Sequence, residues 1–180
     1  MNSTIIRKKK VCSSCNKLDY IFSKGRCQSC SNIEGTAKRI EKYAESMIKA
    51  ENLSDLIAVA DSIFSQYIRL KGADENGMVA CYTCDTVKHW TLQQCGHYVS
   101  RSFIFLRFDE RNSKCQCIGC NEFKNGNLAK YTERLEREFP GLPDILKAEA
   151  TLVHKVSREE LNRVIVEYRG KVNDLKKMLK

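Results

Sequence analysis

Four pairs of cysteines, each with two residues between its members, constrain this 180-residue chain more than any other feature. Cys12 with Cys15 and Cys27 with Cys30 lie in "CSSCNKLDYIFSKGRCQSC", and Cys81 with Cys84 and Cys117 with Cys120 frame a second interval. At this spacing two thiolates can reach one ion from a single tight turn, and two such turns complete a tetrahedron around zinc. The pattern predicts two structural zinc sites, one from Cys12, Cys15, Cys27 and Cys30 and one from Cys81, Cys84, Cys117 and Cys120. Cys115 competes with Cys117 for the second site, and the x2 spacing favours Cys117. Cys95 and Cys115 are then expected as free, buried thiols.

The chain has ten cysteines. In a secreted protein they would suggest disulfides, but the opening "MNSTIIRKKKVCSSC" has neither the apolar stretch nor the small-residue cleavage site of a secretory signal. A reducing, cytoplasmic compartment is the expectation, and there clustered thiols bind metal. No apolar run approaches the roughly 18 residues of a membrane span. Thirty-one Lys and Arg against 22 Asp and Glu give a net charge of +9, and the first fifty residues alone hold eleven basic and four acidic side chains. Such a basic front end suits a polyanion, whose condensed counterions are released on contact; a solvated charge excess is the plainer alternative.

Periodicity divides the rest of the chain. Residues 1–35 read as a zinc knuckle or ribbon, too small for a core of its own, so that metal supplies most of its folding free energy. Residues 36–75 read as a basic helical connector over 36–50 and a core helix. The core helix is capped by Asn52, carries Leu56, Ile57, Ala60, Ile63, Phe64, Tyr67 and Ile68 at helical spacing, and ends at Gly72. Residues 76–139 hold the second cysteine set; 78–108 are rich in β-branched and aromatic residues and read as short strands with turns, with a helix starting just after Cys120. Residues 140–180 are helical, and Ser157 with Glu160 forms a capping box before an apolar face of Leu161, Val164, Ile165, Tyr168, Val172, Leu175 and Leu179. That face closes the fold or serves a dimer. The fold class is a small, zinc-stabilised α+β protein.

Between the second set of cysteines lie "GHY" at 96–98, Asn112, and "CNEFKNGN" from Cys120 to Asn127. The order C-x2-C, G-H, N-x4-C-x2-C-N-x2-K resembles an HNH nuclease of the ββα-metal, treble-clef type. More narrowly, "GHY", "LRF-x-ERN", "QC-x2-CN-x2-K-x-GNL" and the following "Y-x-x-x-L" are similar to the NinG family of lambdoid phages, also called Rap. The paired-cysteine front, basic helix and helical end fit that family in layout.

The resemblance implies a phage or prophage recombination endonuclease that cuts branched DNA, including Holliday junctions and D-loops, in a bacterial host cell. On that reading His97 is the general base, because a neutral imidazole accepts a proton at cellular pH. Asn112 orients the imidazole or the hairpin that carries it, and Asn121 ligates a catalytic Mg²⁺ or Mn²⁺ in an H-N-N variant of the motif. Many HNH proteins carry an acid just before the first histidine, where this chain has Gln94, Cys95 and Gly96. Asp109 and Glu110 are the nearest acidic candidates for a second metal ligand, and Glu110 ranks first. Arg101, Arg107, Arg111, Lys114 and Lys124 are candidate phosphate contacts, Arg107 foremost; a surface salt-bridge ring is the alternative. His89 and His154 read as ordinary histidines. The two-fold symmetry of a four-way junction suits a homodimer. The other readings are a non-catalytic zinc protein that binds nucleic acid, a sequence-specific HNH endonuclease on duplex DNA, and an assembly adaptor working through the C-terminal helices.

Overall fold

The computed structural model describes residues 8–32, 52–153 and 155–179. The connector helix expected over 36–50 and His154 lie outside these residues. Two compact units are present, Met1–Glu51 and Asn52–Lys180.

The first unit is two minimal antiparallel hairpins, β1 (Lys10–Val11) with β2 (Leu18–Asp19) and β3 (Ile21–Ser23) with β4 (Arg26–Cys27), followed by helical residues 28–32. Among its described residues only Cys12 and Cys27 are fully buried. Its core is therefore sulfur, and a fold with so little apolar burial needs another source of free energy.

The second unit has a helical layer and a strand layer. Helix α1 (Leu53–Leu70) starts where the Asn52 side chain accepts the Asp55 N–H at 3.0 Å. Its buried side is Leu56, Ala60, Ile63, Phe64, Tyr67, Ile68 and Leu70. The C-terminal helix α6 (Arg158–Lys177), which opens with the Ser157–Glu160 capping box, packs Leu161, Ile165, Tyr168 and Val172 inward. The two helices lie against each other, with the Tyr168 ring edge-on to Phe64 at 4.8 Å. The apolar face of α6 thus closes the fold.

Hairpin β5 (Met78–Ala80) with β6 (Val87–His89) precedes the longer pair β7 (Gln93–His97) and β8 (Ser113–Cys117), which is antiparallel with Cys95 opposite Cys115 and His97 opposite Ser113. The connection from β7 to β8 contains a helical turn, α2 (Ile104–Arg107), where the aromatic run "FIFLRF" had suggested strand. The backbone turns there because the fully buried Asn112 side chain accepts the Val99 N–H at 2.7 Å and donates to the carbonyls of Val99 and Leu106, both at 3.0 Å. After β8 come a one-turn helix α3 (Ile118–Asn121), a 3₁₀ turn at Asn125–Asn127, α4 (Leu128–Glu138) and α5 (Leu142–Glu149). The helix expected after Cys120 thus starts three residues earlier, breaks, and resumes at Leu128. Gly126 and Asn127, both at positive φ, make the break. Tyr82, Tyr98, Leu106, Tyr131, Leu135 and Leu146 form the apolar cluster beneath this half.

Glu110, just before β8, joins the two layers. Its carboxylate accepts from Tyr67 Oη at 2.8 Å, Lys71 Nζ at 2.5 Å and Lys171 Nζ at 3.0 Å. Burial alone would raise its pKa, but Lys71, Tyr67 and Lys171 outweigh that and lower it to about 2. Replacing Glu110 by Gln leaves two lysines facing an uncharged amide. Urea denaturation of Glu110→Gln at neutral pH is expected to show a loss of about 1 to 3 kcal/mol, and an unchanged midpoint would refute this role.

Candidate metal clusters and an imidazole groove

The two cysteine sets are built alike. In each knuckle the first cysteine's N–H bonds to the carbonyl five residues on (Cys12 to Lys17 and Cys81 to Thr86, both 2.9 Å), and its carbonyl accepts the N–H four residues on (from Asn16 and Asp85, both 3.0 Å). That fourth residue lies at positive φ, 56° for Asn16 and 57° for Asp85, a conformation that Asn and Asp tolerate better than most residues. The residue after each knuckle's second cysteine was therefore a signal available in the sequence. The other pair of each set sits where a helix begins: Cys27 leads into helical residues 28–32, and Cys117 is the N-cap of α3.

Within each set the four sulfurs lie within 4.8 Å of one another, with Cys15 to Cys27 at 3.9 Å and Cys84 to Cys117 at 3.7 Å. Zinc–sulfur bonds of about 2.3 Å imply a tetrahedral edge of ~3.8 Å, so both sets could hold a zinc ion. N–H groups of Cys27 and Ser14 point at Cys12 Sγ from 3.3 and 3.4 Å, and such donors lower the Cys12 thiol pKa to about 6. Asn127 Nδ2 reaches Cys120 Sγ at 3.6 Å. Cys95 and Cys115 stand outside both sets as free thiols, each pushed up to about 12, chiefly by burial.

Beside β7 and the turns after Cys120 lies a groove of about 660 Å³ lined by Gln94, His97, Ser100, Arg101, Asn121, Glu122 and Asn125 among others. The His97 ring nitrogen Nε2 lies 3.0 Å from the Arg107 carbonyl, which can only accept, so Nε2 carries the proton and neutral Nδ1 is left with a lone pair. Burial holds the His97 pKa below its ordinary value, against opposing contributions from the Arg107 carbonyl and Asp61. Asn121 Nδ2 donates to Gln94 Oε1 at 2.7 Å, and Gln94 Nε2 donates to Glu122.

The remaining candidates divide. Asn112 braces the connection after His97 rather than lining the groove. Glu110 is held by its lysines and tyrosines and does not line the groove either, whereas Glu122, which the sequence reading passed over, does. The Arg107 guanidinium forms a two-pronged pair with Asp61 at 2.8 and 2.6 Å and donates to the Arg101 carbonyl at 2.9 Å. Arg111 pairs with Asp109 and Glu149 at 2.6 and 2.8 Å. Lys114 lies over the rings of Tyr82 and Phe139 and bonds to the Glu110 carbonyl at 3.1 Å. Among the described residues neither Arg101 nor Lys124 has an ion-pair partner. His89 bonds to Thr91 at 2.7 Å, as an ordinary histidine would.

The class defined by this architecture is a small mixed α+β protein organised by two four-cysteine clusters that could bind zinc. Among the described residues no helix is long and apolar enough to cross a membrane. The family model described as "Bacteriophage Lambda NinG protein" matches residues 5–178, and the chain belongs to the NinG family. It is 32% identical to protein ninG of Salmonella phage P22 over 124 residues, and 31% identical to protein ninG of Escherichia phage lambda over the same length. Both matches take in 67% of this chain and 57% of the relative, so the chain spans little more than half the length of these relatives. A shorter stretch of 41 residues is 49% identical to protein ninG of Enterobacteria phage H19B, covering 22% of this chain and 20% of that protein. No solved structure matches.

Two substitutions test the assignment of sulfurs. Cys117→Ser is expected to remove about one zinc equivalent per chain by elemental analysis, while Cys115→Ser retains the wild-type content. The opposite pattern would reassign the ligand.

Proposed function

We propose that the chain is a metal-dependent DNA endonuclease with an HNH-like, ββα-metal core, acting on branched DNA such as Holliday junctions and D-loops. The observation that carries this reading is the His97 ring, which lines a groove shared with Asn121 and whose Nε2–H is committed to the Arg107 carbonyl, leaving the Nδ1 lone pair as a proton acceptor. Hydrolysis of a phosphodiester needs a deprotonated water, charge to balance the phosphoryl oxygens, and help for the leaving oxygen. His97 Nδ1 takes the proton from water. The Arg107 carbonyl fixes the tautomer, and Asn112 holds the connection that carries Arg107. Arg101, which lines the groove, and Lys124 have no ion-pair partners among the described residues and are the cations that would contact phosphate. Mg²⁺ or Mn²⁺ held at the Asn121 amide oxygen would offset charge on the phosphate and the leaving oxygen.

The strand–strand–helix order, with ligand pairs at a knuckle and at the start of α3, supports the treble-clef description. Zinc would be structural in both clusters, and a homodimer would present two grooves to a two-fold symmetric junction. The basic front end of the chain fits DNA as partner, and a phage protein of this kind acts in the bacterial cytoplasm.

One observation favours a second, non-catalytic reading. Gly96 stands where many HNH proteins carry an acid, and a Cβ there would lie 1.9 Å from Gln116 Oε1. A panel of linear duplex, flap, D-loop and four-way junction, incubated with Mg²⁺ and zinc-loaded protein, separates the two. Junction cleavage by the wild type is expected to fall by at least about a hundredfold in His97→Ala with binding retained. Binding without cleavage by either protein would make this a nucleic-acid-binding module, and equal cleavage of linear duplex would remove the branched-DNA specificity.

The pH profile of cleavage follows from the depressed His97 pKa. The neutral ring is the active form, so the rate is expected to hold as the pH falls to the ordinary histidine value of 6.5 and to decline only below it. An acid limb centred above 6.5 would contradict this.

A further inference from the structure

The nuclease reading requires a carboxylate that the expected position does not supply, and the structure explains why. A side chain at Gly96 would meet Gln116, whose Oε1, Cδ and Cγ lie 1.9, 2.6 and 2.9 Å from the Cβ position. Gln116 cannot easily yield. It is fully buried, and its Nε2 donates to Thr83 Oγ1 at 2.9 Å and to the Gly126 carbonyl at 2.8 Å, fixing the second knuckle to the turn after α3. An acid before His97 is thus excluded by packing.

Three other candidate carboxylates are already neutralised. Asp61 is clamped by Arg107, Asp109 by Arg111, and Glu110 by Lys71 and Lys171. Glu122 differs from all of them. Among the described residues it is the one carboxylate lining the groove of His97 and Asn121, it is exposed, and it has no cationic partner. The Gln94 amide lies between the two neighbours, accepting from Asn121 Nδ2 at 2.7 Å and donating to Glu122. The bond to Gln94 uses the nitrogen of Asn121 and leaves the hard donor, its carbonyl oxygen, available. The bond to Glu122 engages one carboxylate oxygen and leaves the other.

We infer that Glu122, aligned with Asn121 through Gln94, is the carboxylate ligand for a divalent cation in the His97 groove, in place of the acid that Gly96 cannot carry. Asn121 and Glu122 supply one neutral and one anionic oxygen, a set suited to Mg²⁺ or Mn²⁺, which take one or two carboxylates and otherwise keep water or bind phosphate oxygens. Gln94 is a positioning residue that sets the spacing of the two ligands without adding charge.

The inference rests on the nuclease reading for its purpose, but it can be tested without turnover. Mn²⁺ binding to the full chain with both cysteine clusters zinc-loaded is measured by electron paramagnetic resonance for wild type, Glu122→Gln and Glu110→Gln, with zinc content and thermal melting checked for each. Junction cleavage against Mn²⁺ concentration is recorded in parallel. Wild type is expected to bind about one Mn²⁺, Glu122→Gln at least about tenfold more weakly, and Glu110→Gln within about twofold of wild type. Cleavage by Glu122→Gln is then restored in part by excess Mn²⁺. Unchanged Mn²⁺ affinity in Glu122→Gln, or no Mn²⁺ bound by wild type, overturns the inference while leaving junction cleavage to judge the nuclease reading. Weakened binding in Glu122→Gln with no cleavage by wild type upholds the cation site and ends the nuclease reading instead.

Discussion

The second unit depends on the closure of four thiolates that come from two distant parts of the chain. Cys81 and Cys84 belong to a five-residue knuckle, while Cys117 is at once the last residue of β8, the N-cap of α3 and a neighbour of Cys84 Sγ at 3.7 Å. Four sulfurs within 4.8 Å would repel one another as thiolates, so the arrangement calls for a cation at its centre. Two hydrogen bonds accompany that closure: the Tyr82 N–H donates to the Cys115 carbonyl at 2.7 Å, and the Gln93 side-chain Nε2 donates to the Val79 carbonyl at 2.8 Å. The groove lies between β7 and the turns that follow Cys120, and it takes its shape from this junction.

Charge is organised by the same economy of contacts. A chain with net charge +9 could present its cations indiscriminately to a polyanion, yet three of the five candidate phosphate contacts are already engaged. Arg107 and Arg111 hold loops to helices through Asp61, Asp109 and Glu149, and Lys114 lies half-buried over aromatic rings. Partly buried, two-pronged arginine pairs of this kind fix geometry more than they add to long-range attraction. Arg101, which lines the groove, and Lys124 have no ion-pair partner among the described residues, which separates the cations that build the surface from those that can meet a ligand.

How much of this could be read from sequence depends on the range of the interactions. Cysteine spacing, the Asn52 cap, the Ser157–Glu160 box and the inward faces of α1 and α6 are local patterns, and the structure follows them. The turn of α2 was not legible, because its cause is the Asn112 side chain, whose partners at Val99 and Leu106 are 13 and 6 residues away. Nor was the environment of Glu110. Its place in the "ERN" that resembles the family ranked Glu110 first among the acidic candidates, whereas Lys171, 61 residues further on, holds that carboxylate against the helical layer. The packing of Gln116 over Gly96 pairs adjacent strands and leaves no periodic trace. Local chemistry thus revealed the cysteine clusters and the imidazole, while the partners that decide each polar group's surroundings came from elsewhere in the chain.

Arg107 serves the two layers through two different parts of one residue. Its carbonyl seats the His97 ring, and its guanidinium grips Asp61 in the middle of α1. The imidazole is therefore not anchored by its hairpin alone; its orientation is inherited from an 18-residue rod buttressed by the C-terminal helix. A small strand pair with a sulfur-rich centre has few rigid landmarks of its own. By borrowing one from the helices, the molecule gives a proton acceptor on a short strand the steadiness of a much larger body.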